Sequence, residues 1–313
     1  MSSAGEQRAS PSAYRAAREA LAHRVREAAI LDVEGPDREG FLQGQLTQDL
    51  RGLAPGVARP TAALTPKGKL LFVARLIGLP ECLRVLLPAL SRVVALDHLR
   101  KYALFQRVTV SDRSEELQRI GLYGPGADRT SPPPEGILRL SGEGEFSGEL
   151  LVPRNREADA AAWLEREGSV ALDRETSEAL RVEAGRARFG EDIDSSNLPD
   201  EAGLDAALSA TKGCYVGQEI VARRRTYGRV NRRLVGYRFP EGPIPAGARL
   251  RRPEAADQAS ERTEAGRVTS SALSPRFGPI GLGFAFHDVP AGGRLCSREE
   301  PHRSAIVSAL PFA

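Results

Sequence analysis

Cysteine and histidine are scarce in this chain, and their scarcity limits its chemistry. Of 313 residues, three are cysteine (Cys82, Cys214 and Cys296) and four are histidine (His23, His98, His287 and His302). The cysteines are odd in number and far apart, with no CxxC pair. That excludes a disulfide framework and suits a reducing compartment. No His/Cys spacing matches a ligand set, so no metal site held by this chain alone is expected. Aromatic residues are only 5% of the chain, with a single tryptophan. No apolar run reaches membrane-spanning length and no signal-peptide core is present. A cytoplasmic location with no membrane contact is expected; the Arg, Ser and Ala content of the first residues would suit a transit peptide, but Glu6, Glu19 and Glu27 count against one. A net charge of +3 is too small to mark a general polyanion binder.

What is present is enough apolar sequence to build a core: 41% hydrophobic against 27% charged residues. The length suggests two domains or three small ones. A polar tail over 1–12 is expected to be disordered. Patterning then predicts a helix over 14–29, a strand over 29–33, and a helix over 38–45 capped by Asp37. Strands are predicted over 61–64, 70–76 and 83–87, the first two joined by the turn Pro66-Lys67-Gly68-Lys69. A helix over 90–101, a strand over 102–110 and a helix from about Ser114 follow. Residues 129–148 are punctuated by Pro, Gly and Ser and read as loops around one strand, 136–140. A helix over 158–167 carries Trp163, read as a packing residue. After Arg233 the pattern turns to short, closely spaced strands over 234–239, 249–251, 266–271, 280–286 and 304–310, which reads as a small β-barrel.

The densest chemistry lies in Thr211-Lys212-Gly213-Cys214-Tyr215-Val216-Gly217-Gln218-Glu219-Ile220. A thiol, an ammonium, a carboxamide and a carboxylate fall within eight residues, separated by two glycines that free the backbone. From Gly217 onward the stretch reads as a helix start, with Glu219 in the first turn. Cys214 then precedes a positive helix terminus beside Lys212, surroundings that favour a thiolate. The plain alternative is a small apolar residue buried at a turn. Arg223, Arg224, Arg225, Arg229, Arg232 and Arg233 follow closely. They suit phosphates, the carboxylates of a ligand, or a solvated strand over 226–233.

A second position stands out. Asp173 caps a predicted helix whose apolar face runs through Ala179 and Leu180 and then presents Glu183, just before Gly185. A carboxylate on a buried stripe in a last helical turn needs paired donors. An arginine from among residues 181–188 could supply them, or a ligand edge carrying two parallel N–H groups.

With these residues in view, Lys212-Gly213-Cys214-Tyr215-Val216-Gly217-Gln218-Glu219 resembles the K-G-C-Y-x-G-Q-E signature of the YgfZ proteins. These are folate-binding relatives of the glycine-cleavage T-protein, an aminomethyltransferase, and include iron–sulfur assembly factors. Similarity extends to Phe41-Leu42-Gln43-Gly44-Gln45-Leu46-Thr47-Gln48-Asp49, Lys101-Tyr102, Leu180-Arg181-Val182-Glu183-Ala184-Gly185, and Ser274-Pro275 with Gly281-Leu282-Gly283. The resemblance implies an α+β fold of two interwoven subdomains plus a C-terminal barrel, arranged in a ring around a central channel. Its expected boundaries are 13–235, with a unit over 115–172 inserted, and 236–313. It also implies tetrahydrofolate as cofactor, with Glu183 holding the pterin and Tyr215 and Arg223 as further contacts. Cys214, Lys212, Gln218 and Glu219 become the candidate reactive group. Iron–sulfur client or assembly proteins are the implied partners, among them enzymes that modify tRNA.

Two departures matter. The T-protein strand that carries an aspartate is here Leu70-Leu71-Phe72-Val73-Ala74, without an acid, which argues against aminomethyl transfer by the familiar route. Ala28 and Ser177 stand where some relatives place aromatic residues. The leading expectation is an accessory protein for iron–sulfur assembly or repair. The alternatives are a folate-dependent one-carbon transferase and an RNA-binding module, the last not supported by the global charge.

Overall fold

The computed structural model describes residues 9–227, 230–253 and 264–313, with the side chains of 225–227 left aside. Helix α1 (Pro11–Glu19) leads into β1 (Ala22–Arg26), β2 (Ala29–Glu34) and α2 (Arg38–Gln45). Strands β3 (Ala58–Leu64), β4 (Leu70–Gly78) and β5 (Cys82–Leu87) precede α3 (Arg92–Ala103) and β6 (Thr109–Asp112). Then come β7 (Leu117–Tyr123), β8 (Leu138–Ser141), β9 (Gly148–Pro153), α4 (Glu157–Arg166), β10 (Val170–Ala171) and α5 (Arg174–Glu183). Helix α6 (Gln218–Tyr227) leads to β11 (Arg232–Arg238), β12 (Arg249–Arg251), β13 (Glu264–Ser274), β14 (Gly278–Phe286), β15 (Arg294–Ser297) and β16 (Ser304–Ser308).

These strands make two five-stranded sheets, ordered β3-β4-β5-β2-β6 and β10-β1-β7-β9-β8, and a closed barrel, β11-β14-β13-β12-β15-β16. Strand β4 shows how the sequence sorts its faces. Leu70, Phe72, Ala74 and Leu76 alternate as buried residues. Phe72, Ala74 and Leu76 pack with Phe41 and Leu42 of α2 and Ala95 and Leu99 of α3. Val73 and Arg75 take the opposite face, toward the middle of the molecule. Ile30, Ile77 and Leu86 of the first sheet meet Leu140 and Leu151 of the second. Helix α5 reaches the barrel, where Val182 packs on Ile280 and Leu282. The buried Arg181 guanidinium joins Glu178, Asp192 and Ser270.

The mixed α+β architecture with a C-terminal barrel is as expected, but several elements differ. Of the tail, residues 1–8 lie outside the described residues. Ser10 accepts from the Ala13 amide, Pro11 occupies the first turn, and Ala9 is buried, so order begins earlier than expected. The helix expected over 14–29 stops at Glu19. Residues 22–26 pair antiparallel with β7 and parallel with β10, so sheet pairing outweighs the helical composition. That pairing also draws β1 into the unit expected over 115–172. Asp37 does not cap α2, because its carboxylate is taken by Arg107. The strand expected over 102–110 begins only at Thr109, since α3 runs on to Ala103. No helix starts at Ser114, whose hydroxyl is engaged by Asp112 and the Ile30 amide. Strand β15 was not expected. Among the described residues no helix is long and apolar enough to cross a membrane. None of their His, Cys, Asp and Glu side chains form a group of three or more that could hold a metal ion.

Candidate functional site

The cysteine loop is clamped from below and open above. Lys212 is 5% exposed, and its ammonium donates to the carbonyls of Gln43, Leu46 and Gln48 at 2.7, 2.7 and 2.9 Å. These lie at and just beyond the C-terminal end of α2, where a cation is favoured. Burial pulls this ammonium down to about 8. An ammonium has three N–H donors and all are taken, so Lys212 anchors the loop and has none left for the thiol. It also stands 5.2 Å from the centre of the Tyr215 ring.

Tyr215 is buried in an apolar cluster with Leu64, Leu70, Phe189 and Val221. Its amide donates to Gln218 Oε1, so Gln218 closes the turn into α6. Gly217 has φ +82°, and a Cβ there would lie 2.6 Å from the Thr65 carbonyl oxygen. Gly68, in the facing β3–β4 turn, has φ +73°, and a Cβ there would lie 2.8 Å from Ile220. Two loops therefore cross at contact distance, and glycine is required on both sides. Against this fixed base Cys214 is exposed, as are Glu219 and Arg223.

The arginine run is not one free basic patch. Arg224 pairs with Asp200, Arg232 with Glu201, and Arg233 donates to the Val289 carbonyl. The strand expected over 226–233 begins only at Arg232, because α6 continues to Tyr227. Arg229 and the side chain of Arg225 lie outside the described residues.

Three cavities are lined by residues of the two sheets and of the segments packed on them. The central one, about 180 Å³, lies between the two sheets and takes Val73, Ala74 and Arg75 from β4 and Arg119 from β7. A second, about 540 Å³, is lined by Arg18, Tyr123, Phe146, Glu183, Arg276 and Phe312, among others. A third, about 280 Å³, shares Arg26 and Arg119 with the central one. Glu183 therefore does face a cavity. Its carboxylate is buried and accepts from Tyr14 Oη at 2.9 and 3.0 Å, from the Ser274 hydroxyl and from Arg18. Its cation comes from α1, not from residues 181–188, whose Arg181 turns instead to Glu178 and Asp192.

Cys214, Lys212, Tyr215, Gln218, Glu219 and Arg223 line none of these three cavities. The thiol expected beside the Glu183 pocket is thus not among the residues that line that pocket. Tyr215 and Val221 sit in an apolar cluster against which Val73, Ala187 and Leu204 pack, and those three residues line the central cavity. A layer of side chains thus separates thiol from cavity.

Sequence reasoning also passed over the charged groups between the sheets. Glu149 on β9 is fully buried and pairs with Arg75 and Arg119. Glu143, on the loop before it, pairs with Arg75 at 3.0 Å and Arg186 at 2.6 Å. Burial, with repulsion from Arg26 and Arg75, pulls the Arg119 guanidinium down to about 10. Strand β4 brings an arginine to this cavity where the T-protein comparison sought an acid, and the carboxylates come from residues 143–149. The alternation of β4 was the available signal for Arg75, since it sets Arg75 opposite Phe72 and Ala74.

No family model matches the chain. It is 32% identical over 302 residues to an aminomethyltransferase of Rubrobacter xylanophilus, covering 89% of this chain and 79% of that one. It is 27% identical to the tRNA-modifying protein YgfZ of Edwardsiella ictaluri, covering 90% and 89%. With the Klebsiella pneumoniae protein of the same name it shares 31% identity over 66% and 68%. Its backbone matches the glycine cleavage system aminomethyltransferase T of Bartonella henselae with a TM-score of 0.84 at 22% identity, over 96% and 89% of the chains. On this similarity, and on a signature that holds one thiol out from a clamped loop, the chain belongs to the YgfZ family and is built on the aminomethyltransferase fold.

Proposed function

We propose that this protein is a folate-binding accessory factor for iron–sulfur cluster assembly or repair that supports tRNA-modifying enzymes, with Cys214 as its reactive group. The observation that carries the reading is the contrast within one loop. Lys212 and Tyr215 are buried and fixed, while Cys214 between them is exposed. A structural cysteine would be sealed, whereas this one is presented to a partner. The thiol lines none of the three cavities, which supports a reaction with a client or assembly protein. One thiolate cannot hold a four-cysteine cluster, so any cluster is shared with that partner.

Tetrahydrofolate fits the Glu183 cavity in kind. The volume falls within the ~300–1,000 Å³ usual for small-ligand sites. Phe312 offers an aromatic wall, and Glu183 offers a buried carboxylate. Arg18 already pairs with that carboxylate, and its side chain is 40% exposed, so it can swing aside for a ligand donor. A folate bound here would supply one-carbon or redox chemistry, while Glu183 would orient it. The similarity to aminomethyltransferases over most of the chain favours a transferase as the second reading, but β4 brings Val73, Ala74 and Arg75 to the central cavity and no acid.

The test is complementation of a deletion strain, read as the activity of an iron–sulfur tRNA-modifying enzyme. Wild type should restore it. Cys214→Ser should not, while leaving folding stability within about 0.5 kcal/mol, as expected for an exposed position. Full rescue by Cys214→Ser would remove the thiol from the function.

A further inference from the structure

The loop over 142–147, between β8 and β9, turns inward. Glu145 and Phe146 are the residues that line both the central and the Glu183 cavities, so this loop stands between the two. The Phe146 ring is held as a ligand ring would be. Arg119 and Arg26 place their guanidinium carbons 5.2 and 5.7 Å from its centroid. Tyr123 meets it edge-on at 5.3 Å. Below it lies Gly121, where a Cβ would come within 2.6 Å of the ring, so the strand floor is bare at this point.

The cage contains a group that Phe146 leaves unsatisfied. Tyr123 is 1% exposed, and its hydroxyl has no hydrogen-bond partner among the described residues. A buried hydroxyl left without a hydrogen bond is destabilising. Phenylalanine offers it nothing, and a ring bearing an acceptor would satisfy it. The plug is also latched by polar contacts and not by deep burial: Glu143 is gripped by Arg75 and Arg186, and the Ser147 amide donates to the Leu122 carbonyl.

We propose that Phe146 is a built-in occupant of a ring-binding cage formed by Arg26, Arg119, Gly121 and Tyr123. On ligand entry the 142–147 loop withdraws, joins the two cavities, and yields the cage to a planar, electron-rich ring carrying a hydrogen-bond acceptor. This rests on the folate reading above, which supplies such a ring. The plug lowers the affinity of the resting protein by the fraction of time the cage is filled, so weakening it strengthens binding.

The experiment is calorimetric titration of tetrahydrofolate into wild type, Phe146→Ala and Glu143→Gln, with hydrogen exchange followed at the 142–147 amides. Glu143→Gln keeps the ring and releases the latch, guarding against a fold defect in Phe146→Ala. Both variants should bind about 5-fold or more tightly than wild type. Ligand should speed exchange in the wild-type loop. Binding seen only in the variants would support the plug. Equal or weaker binding by both, or slower exchange on ligand addition, would make Phe146 a wall of the site and overturn the proposal while leaving the folate reading intact. No binding by any of the three would remove the folate reading and this inference together.

Discussion

Replacing Glu149 by Gln tests whether the ion network between the sheets behaves as a buried one. Glu149 sits on β9, and its partners Arg75 and Arg119 come from β4 of the other sheet and β7 of its own. The Arg119 Nε–Oε1 hydrogen bond is 2.7 Å. If this were an exposed ion pair, losing it would cost ~0–1 kcal/mol. The Glu149 side chain is 0% exposed, and those of Arg75 and Arg119 are 11% and 15% exposed. Removing the negative charge leaves two desolvated cations facing each other, with Glu143 still paired to Arg75. For a broken buried pair the expected loss is ~3–5 kcal/mol. Glutamine fits the space but turns an N–H₂ toward a guanidinium, so shape alone does not rescue it. Equilibrium urea unfolding at neutral pH measures the loss. A triple replacement, Arg75→Met with Arg119→Met and Glu149→Leu, should recover much of it, since no charge is then stranded. A loss under about 1 kcal/mol in Glu149→Gln would refute the reasoning, because the network would then behave as if it were in water.

Two further outcomes are expected. Lys212→Met removes three charge-assisted bonds to carbonyls and should lower stability by about 2–4 kcal/mol, the gain from no longer burying an ammonium offsetting part of the loss. A denaturant midpoint equal to wild type would show that the clamp is idle. At Glu178, burial acts to raise the carboxyl pKa, but Arg181 and Arg188 outweigh it and hold the value at about 2, against 4.5 ordinarily. The folded state therefore binds fewer protons than the unfolded, and this pairing stabilises above about pH 4.5 and is lost as pH falls through 2. Glu178→Gln should flatten the acid limb of the stability profile by up to about 3 kcal/mol; parallel limbs for the two proteins would count against the pairing.

What the sequence revealed and what it hid divide along the range of the contacts. Asp173 capping α5, the helix beginning at Gln218 and the two-residue alternation of β4 are local, and each follows from neighbours within a few positions. The barrel was legible for the same reason, through turns at regular spacing. Glu183 was recognisable as a carboxylate out of place, yet its partner Arg18 lies 165 positions away, and no local pattern points to it. Lys212 looked like a partner for its sequence neighbour Cys214. Instead it reaches 164–169 positions back, to the carbonyls of residues 43–48. The 14–29 stretch is rich in alanine and arginine, which favour a helix, but strand neighbours on both sides of β1 decide otherwise. Phe146 lay in a segment whose Gly and Ser content marked it as connection, and composition says nothing about a loop folding inward.

The crossing of Gly217 over Gly68 has a mechanical consequence. With no side chain between them, the outer loop rides directly on a hairpin whose strands continue inward to line the central cavity. Any displacement of that hairpin tip is passed to the thiol-bearing turn almost undamped, for want of a compressible layer to absorb it. The position of Cys214 is thereby tied to the seating of the β3–β4 turn, and a larger residue at position 68 or 217 would move the sulfur along with the turn.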